Sequence, residues 1–287
     1  MKTDFPNITI LGGGLLGGSL ALALADLVSP PMIRLWARKE ATVETASRLG
    51  IAGVTTDLTE AVRDANLIIL AVPVGSMASL VASCLEAGLL QDCLITDVGS
   101  VKRVPHEKIG PLLQGQDLHF IGSHPMAGSE RNGLSASSKN LFRNAACLLT
   151  NDDGAPSAQA AALERFWKHI GCRTSWMSAA IHDELVARIS HLPHLYAASA
   201  ARVCLKDSSE GKFGGGGLRD TTRVAAGNPA MWAEIISENR EALIGLLEES
   251  IADLGEILVS LKNADQEKVR QWLVTAKQRR DPLNPNH

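Results

Sequence analysis

The strongest constraint on the fold is an alternation that runs from the N-terminus to about residue 178 and then stops. Short apolar runs of strand type, NITIL, IRLWA, ANLIILAVP, CLITDV, HFIGS, AACLLT and TSWMS, are separated by stretches of helical spacing such as EATVETASRL and AALERFWKHI. Such alternation builds a mostly parallel sheet covered by helices. A run as apolar as LIILAV fits a central strand buried on both faces. After Ser178 the strand-like runs vanish, and only the loop SSEGKFGGGGLRD interrupts the helical periodicity. The expected fold class is α/β: a doubly wound N-terminal domain over residues 1–178, then an all-helical domain over residues 179–287.

The last long helical pattern places Ile235, Ile236, Leu243, Leu246, Leu247, Ile251, Leu254, Ile257, Leu258 and Leu261 on one stripe. Read as one helix, it spans roughly 30 residues, or ~45 Å at 1.5 Å per residue. A stripe of that length needs cover, from a second subunit in a homodimer or from the rest of the monomer.

The chain has 31 acidic against 28 basic residues, without the basic excess that nucleic-acid binding requires, so no DNA or RNA partner is expected. Cys84, Cys93, Cys147, Cys172 and Cys204 show no CxxC spacing, which argues against a zinc site or a disulfide framework. The opening MKTDFPNITILG has one basic residue before an apolar run that soon dissolves into glycines. No membrane association is expected, and a cytoplasmic location is the default.

NITILG runs directly into GGGLLGGSLALALA, with Gly12, Gly14 and Gly17 in GxGxxG spacing between a strand and a helix. That is the context of a Rossmann-type dinucleotide site. Gly12 permits the tight turn, Gly14 lets the backbone approach the pyrophosphate, and Gly17 lets the helix lie close to the strand. The helix N-terminus, with Leu15 and Leu16, offers amides and a positive dipole to the phosphates. The acid that would hold the ribose of NAD after the second strand is missing. IRLWARKEA offers Arg38 and Lys39 instead, cations suited to a 2′-phosphate, which favours NADP over NAD. Ligands of doubly wound sheets bind beyond the carboxyl ends of the strands. Val72 and Pro73, Ser100, and His124 follow or end successive strands there and are assigned to the same site.

The order of motifs is specific. Gly12, Gly14 and Gly17 with SLA at 19–21 are followed by DVGSVK at 97–102, GSHPMAG at 122–128, SHLPH at 190–194, LRDTTR at 218–223 and NPAMW at 228–232. Together they resemble the prephenate/arogenate dehydrogenase family of tyrosine biosynthesis, over nearly the whole chain. The resemblance implies a Rossmann domain followed by a helical dimerisation domain, with the active site in the cleft between them. It also implies oxidative decarboxylation, in which the C4 hydroxyl of the substrate ring gives up its proton, the C4 hydride goes to the nicotinamide, CO2 leaves and the ring becomes aromatic.

That chemistry needs a group to take the hydroxyl proton, and a neutral imidazole is suited to it. By resemblance His124 is the catalytic base or hydrogen-bond acceptor for the hydroxyl, and Ser100 directs it. Arg223 matches the family's substrate-binding arginine, Asp220 and Glu130 are expected to pair with it when the site is empty, and Ser129 is counted with the substrate-binding residues. His191 supports the site and His194 faces the substrate's side chain. Two histidines on one helix face could hold a metal, but no third ligand stands at a supporting spacing, and none is expected. Pro193 between them is expected to kink the helix, and Trp232 to pack its own helix into the cleft. His194 points to prephenate as substrate, whereas Arg38 resembles the NADP-using arogenate enzymes, so both substrates stay open. A β-hydroxyacid dehydrogenase would need a lysine in AIHDELVARISHLPHLYAA, which has none. An NADP-binding redox sensor would leave Ser100, His124 and Arg223 without a role.

Overall fold

A computed structural model describes residues 3–128 and 133–283. Its strands are β1 (Asn7–Leu11), β2 (Met32–Trp36), β3 (Val54–Thr55), β4 (Leu67–Leu70), β5 (Leu94–Asp97), β6 (His119–Pro125), β7 (Ala146–Thr150) and β8 (Arg173–Trp176). They form one sheet in the order β3-β2-β1-β4-β5-β6-β7-β8. All pairings are parallel except β6 with β7, where His124 stands opposite Leu148. The seven strand-type runs of the sequence are all strands. β3 adds an eighth that is too short to carry a pattern.

Crossover helices α1 (Leu15–Ala25), α2 (Glu40–Arg48), α3 (Leu58–Val62), α4 (Met77–Glu86), α5 (Arg103–Leu113) and α6 (Ser157–His169) cover the sheet. Strand side chains alternate between its two faces. Ile8, Ile10, Leu67, Ile69 and Leu94 join one core cluster with Leu20 and Leu24 of α1 and Phe166 and Trp167 of α6. Leu11, Ile68, Leu70 and Ile95 join the other with Val81 of α4 and Ile109 of α5. Burial on both faces is the reason these strands are apolar throughout.

Beyond Ser178, whose side chain caps the next helix by accepting from Ile181 N, the described chain is helical. The helices are α7 (Ala179–Val186), α8 (Leu192–Cys204), α9 (Gly216–Thr222), α10 (Pro229–Glu238), α11 (Arg240–Lys262) and α12 (Gln266–Arg280). The glycine-rich stretch expected to be a loop is partly helical: Gly215 is the extended N-cap of α9, and Gly216 and Gly217 form its first turn. The long stripe is also two helices. The backbone breaks at Asn239 (φ −108°, ψ 23°), the cap of α10. Apolar spacing continues across the break, so periodicity could not reveal it.

Two compact units result, Met1–Asn239 and Arg240–His287. In the second, Trp272 Nε1 on α12 donates to Asp253 Oδ1 on α11 at 3.0 Å. Helix α11 leaves Ile251, Leu254 and Leu258 more than half exposed, at 64%, 52% and 51%. No helix among the described residues is long and apolar enough to cross a membrane.

Candidate active site

The first unit contains a cavity of about 590 Å³ at the carboxyl ends of β1, β4, β5 and β6. At one end Gly14, Leu15 and Leu16 open α1, facing Val72 and Pro73 after β4. A Cβ on Gly12 (φ 125°) would run into the Ala71 carbonyl, and one on Gly17 into the carbonyl of Gly12. A Cβ on Gly14 would meet nothing within 4 Å. Gly12 and Gly17 therefore serve close packing, while Gly14 keeps the approach to the α1 N-terminus open, as a dinucleotide pyrophosphate requires. Arg38 and Lys39 follow β2 and are exposed.

Ser100 and His124 line the same cavity. His124 is buried on β6, and its Nδ1 lies 2.9 Å from His182 Nε2. His182 Nδ1 in turn lies 2.7 Å from Asp183 Oδ1. Asp183 also accepts the backbone N–H groups of Lys102 at 2.7 Å and Arg103 at 3.0 Å. Burial raises the Asp183 pKa, but the hydrogen bonds from His182 and the two amides outweigh it and hold the carboxyl below its usual range. An ionised carboxylate only accepts, so His182 Nδ1 carries a hydrogen. Burial lowers the His182 pKa against the opposing pull of Asp183, leaving the ring neutral with a lone pair on Nε2. His124 Nδ1 must then be the donor, and His124 Nε2 keeps its lone pair. Burial, and next the neighbouring His182, hold the His124 pKa well below the usual imidazole value. The Asp183–His182–His124 chain thus delivers a neutral, correctly tautomerised acceptor to the cavity.

The DVGSVK segment is held from below by a buried ion pair. Lys102 Nζ donates to Asp97 Oδ2 at 2.5 Å, to Gly99 O at 3.0 Å and to Val101 O at 3.1 Å, both charged side chains being fully buried. Asp97 also accepts from Gly99 N at 2.8 Å and from Ser123 N at 3.0 Å. The carboxylate therefore ties the turn carrying Ser100 to the strand carrying His124. A buried charge pair is tolerated when both partners are saturated with hydrogen bonds in this way.

The opposite wall comes from the helical segment. A π-turn at Ala187–His191 places Pro193 in the first turn of α8, where its missing N–H breaks no hydrogen bond. The π-turn takes up the disturbance expected as a kink. His191 lines the cavity and His194 does not. His194 is buried against Trp232, the rings stacked at 3.5 Å and 7°, and Trp232 presents its indole to the cavity. Trp232 also meets His191 edge-on at 6.2 Å. Arg223 lines the cavity from the end of α9, while Asp220 is exposed on the same helix and is not part of the lining. Glu234 of α10 accepts from Gly75 N at 2.6 Å, joining that helix to the loop after β4. Ser129 and Glu130 lie outside the described residues.

Sequence reasoning missed Asp97, Lys102, His182, Asp183 and Asn239. One signal was legible: DVGSVK puts two charges around a strand end that is otherwise apolar. His182 and Asp183 sit in an ordinary-looking helix and gain meaning only from the long-range packing that brings them to β6.

A glycine cradle at a helix N-terminus and a tautomer-fixed histidine in one cavity define a dinucleotide-dependent oxidoreductase. Residues 20–176 match the family profile "Prephenate dehydrogenase, nucleotide-binding domain", and residues 178–275 match "Prephenate dehydrogenase, dimerization domain". The chain is 34% identical to the cyclohexadienyl dehydrogenase of Zymomonas mobilis over 99% of its own length and 98% of that protein's. It is 32% identical to the prephenate dehydrogenase of Bacillus subtilis, over 96% and 76% respectively. Its fold superposes on the crystal structure of prephenate dehydrogenase from A. aeolicus in complex with hydroxyphenyl propionate and NAD+ with a TM-score of 0.88 at 27% identity, covering 99% of this chain and 100% of that one. The chain belongs to the prephenate dehydrogenase family.

Proposed function

We propose that this protein oxidatively decarboxylates prephenate to 4-hydroxyphenylpyruvate, or arogenate to tyrosine, using NADP or NAD. The observation that carries the reading is the buried Asp183–His182–His124 hydrogen-bond chain, from which a lone pair on His124 Nε2 follows. Ser100 directs the ring hydroxyl, and His124 Nε2 accepts its proton. The imidazolium so formed keeps its Nδ1–H on His182, and the Asp183 carboxylate stabilises the positive charge across the pair. When bound, the oxidised nicotinamide supplies the acceptor for the hydride leaving C4. Arg223 holds a substrate carboxylate. His191 contacts the substrate directly, and His194 acts through the Trp232 ring stacked on it.

The cofactor site consists of Gly12, Gly14, Leu15, Leu16, Gly17, Val72, Pro73 and Ser100, with Arg38 and Lys39 at the 2′-position. We place the working division of the chain at 178/179, with the substrate wall in the helical part. A cytoplasmic homodimer assembled through the exposed stripe of α11 accompanies this reading. The test is the initial rate of reduced-nicotinamide formation, with prephenate and arogenate each offered with NADP and with NAD. Turnover of neither substrate with either cofactor refutes the proposal.

A further inference from the structure

His191 is 1% exposed and lines the cavity, and among the described residues its Nε2 has no hydrogen-bond partner. Its Nδ1 lies 3.1 Å from Asn239 Nδ2. The same Nδ2 donates to the Asp183 carbonyl at 2.8 Å, which fixes the orientation of the amide because a carbonyl can only accept. An amide NH2 can only donate, so His191 Nδ1 is the acceptor and carries no hydrogen. The ring is then neutral, with its one hydrogen on Nε2. A buried N–H without a partner costs free energy unless a ligand oxygen meets it.

We propose that Asn239 is a positioning residue that holds His191 as an uncharged Nε2–H donor, and that this donor binds a carboxylate or carbonyl oxygen of the substrate. The inference rests on the reaction assigned above for the identity of the substrate, though not for the tautomer. An uncharged donor suits this chemistry. It orients a carboxylate without the strong stabilisation a cation would give the ground state, which would oppose loss of CO2. Burial pushes the His191 pKa down to about 4, against the opposing pull of Asp183, so the ring stays a neutral donor at neutral pH. The two histidines of the cavity therefore have opposite polarity: His124 accepts and His191 donates.

The first test is NMR of the full-length protein labelled with 15N-histidine at neutral pH, the His191 ring being assigned by its loss in His191→Phe. The expected pattern is the Nε2–H tautomer in the wild type and a shift away from it in Asn239→Ala. An Nδ1–H or doubly protonated ring in the wild type overturns the proposal whether or not the enzyme turns over prephenate. The second test is kinetic. His191→Phe is expected to raise substrate KM about tenfold, with kcat within about twofold, as loss of a contact made equally in ground and transition states requires. His191→Gln, which keeps an N–H donor at about the same reach, restores most of the affinity.

Dissociation constants for 4-hydroxyphenylpyruvate and 4-hydroxyphenylpropionate then locate the oxygen. Weakening of both by His191→Phe points to the side-chain carboxylate, and weakening of the pyruvate alone to the keto group. A penalty confined to prephenate points to the ring carboxylate. No penalty on any of the three, or a fall in kcat with unchanged KM, refutes the donor role. If His191→Phe does not fold, Asn239→Ala carries the same KM comparison with the ring still present.

Discussion

Removing the acceptor behind His124 should switch off the base without touching it. His124 Nδ1 and His182 Nε2 are 2.9 Å apart in buried surroundings. Replacing His182 with alanine leaves the Nδ1–H without an acceptor, at a cost of about 1–3 kcal/mol. The ring can escape that cost by moving its hydrogen to Nε2, which removes the lone pair that faces the substrate. At 1.36 kcal/mol per factor of ten, the fraction of His124 able to accept a proton falls about 5- to 150-fold. His182→Ala should therefore lower kcat/KM by that factor, measured from initial rates of nicotinamide reduction. Removing the base itself in His124→Ala should cost about 100- to 10,000-fold.

His182→Gln separates two roles. Its amide oxygen can accept from His124 Nδ1 but cannot take a proton, so orientation is kept and relay is lost. Activity within about fivefold of wild type in His182→Gln, with the larger loss in His182→Ala, is the result expected if His182 sets the tautomer. Equal, severe losses in both would mean that the proton itself moves to His182. Less than a twofold loss in His182→Ala would refute the reasoning, since the tautomer of His124 would then not depend on its buried neighbour.

Three further outcomes follow from the geometry. Arg38→Ala should lower the ratio of kcat/KM for NADP over NAD by about 10- to 150-fold, the worth of a charge-assisted contact, and an unchanged ratio would place the 2′-phosphate elsewhere. Acid should destabilise the fold through its buried rings. His191 is pushed from 6.5 down to about 4, so the folded state binds fewer protons than the unfolded one, and stability is complete above pH 6.5 and lost as pH falls toward 4. For this residue alone the loss between pH 8 and pH 5 is about 2 kcal/mol, which urea titrations at the two pH values would detect, and His191→Phe should remove that share of the pH dependence. Leu254→Asp, in the middle of the exposed α11 stripe, should shift the protein from dimer toward monomer in size-exclusion chromatography with light scattering. Retention of the dimer would move the interface off this helix.

The sheet and the cofactor loop were legible because their determinants are local. LIILAV is apolar without alternation because both faces of β4 are covered, and GxGxxG needs only the strand before it and the helix after it to acquire meaning. The helical half was less legible where a local signal competed with packing. Pro193 signals a disturbance without saying that a π-turn will absorb it, and the apolar spacing around Asn239 is compatible with a continuous helix. His124 and Ser100 stood out through the motifs around them. The groups that give His124 its polarity come from α7, some 58 residues later in the chain, and no periodicity links the two. His194 was expected to face the substrate, whereas the stacked Trp232 takes that position on the wall.

Asp183 explains why these separate parts behave as one device. Its carboxylate receives two backbone amides at the start of α5 and polarises His182, which leaves His124 an acceptor. Its carbonyl orients the Asn239 amide, which leaves His191 a donor. One residue thus sets opposite polarities on two imidazoles that line the same cavity. Lys102 and Asp97 pair with each other beneath the site, with no exposed surface. In a site that must take a proton from a hydroxyl and still let a carboxylate leave as CO2, a cation in direct contact with the base or with the departing carboxylate would work against the chemistry. It would depress the basicity of His124 in the first case and stabilise the departing carboxylate in the second. Buried neutral rings with fixed tautomers avoid both effects, and the break at Asn239 is the local distortion that makes the second ring possible.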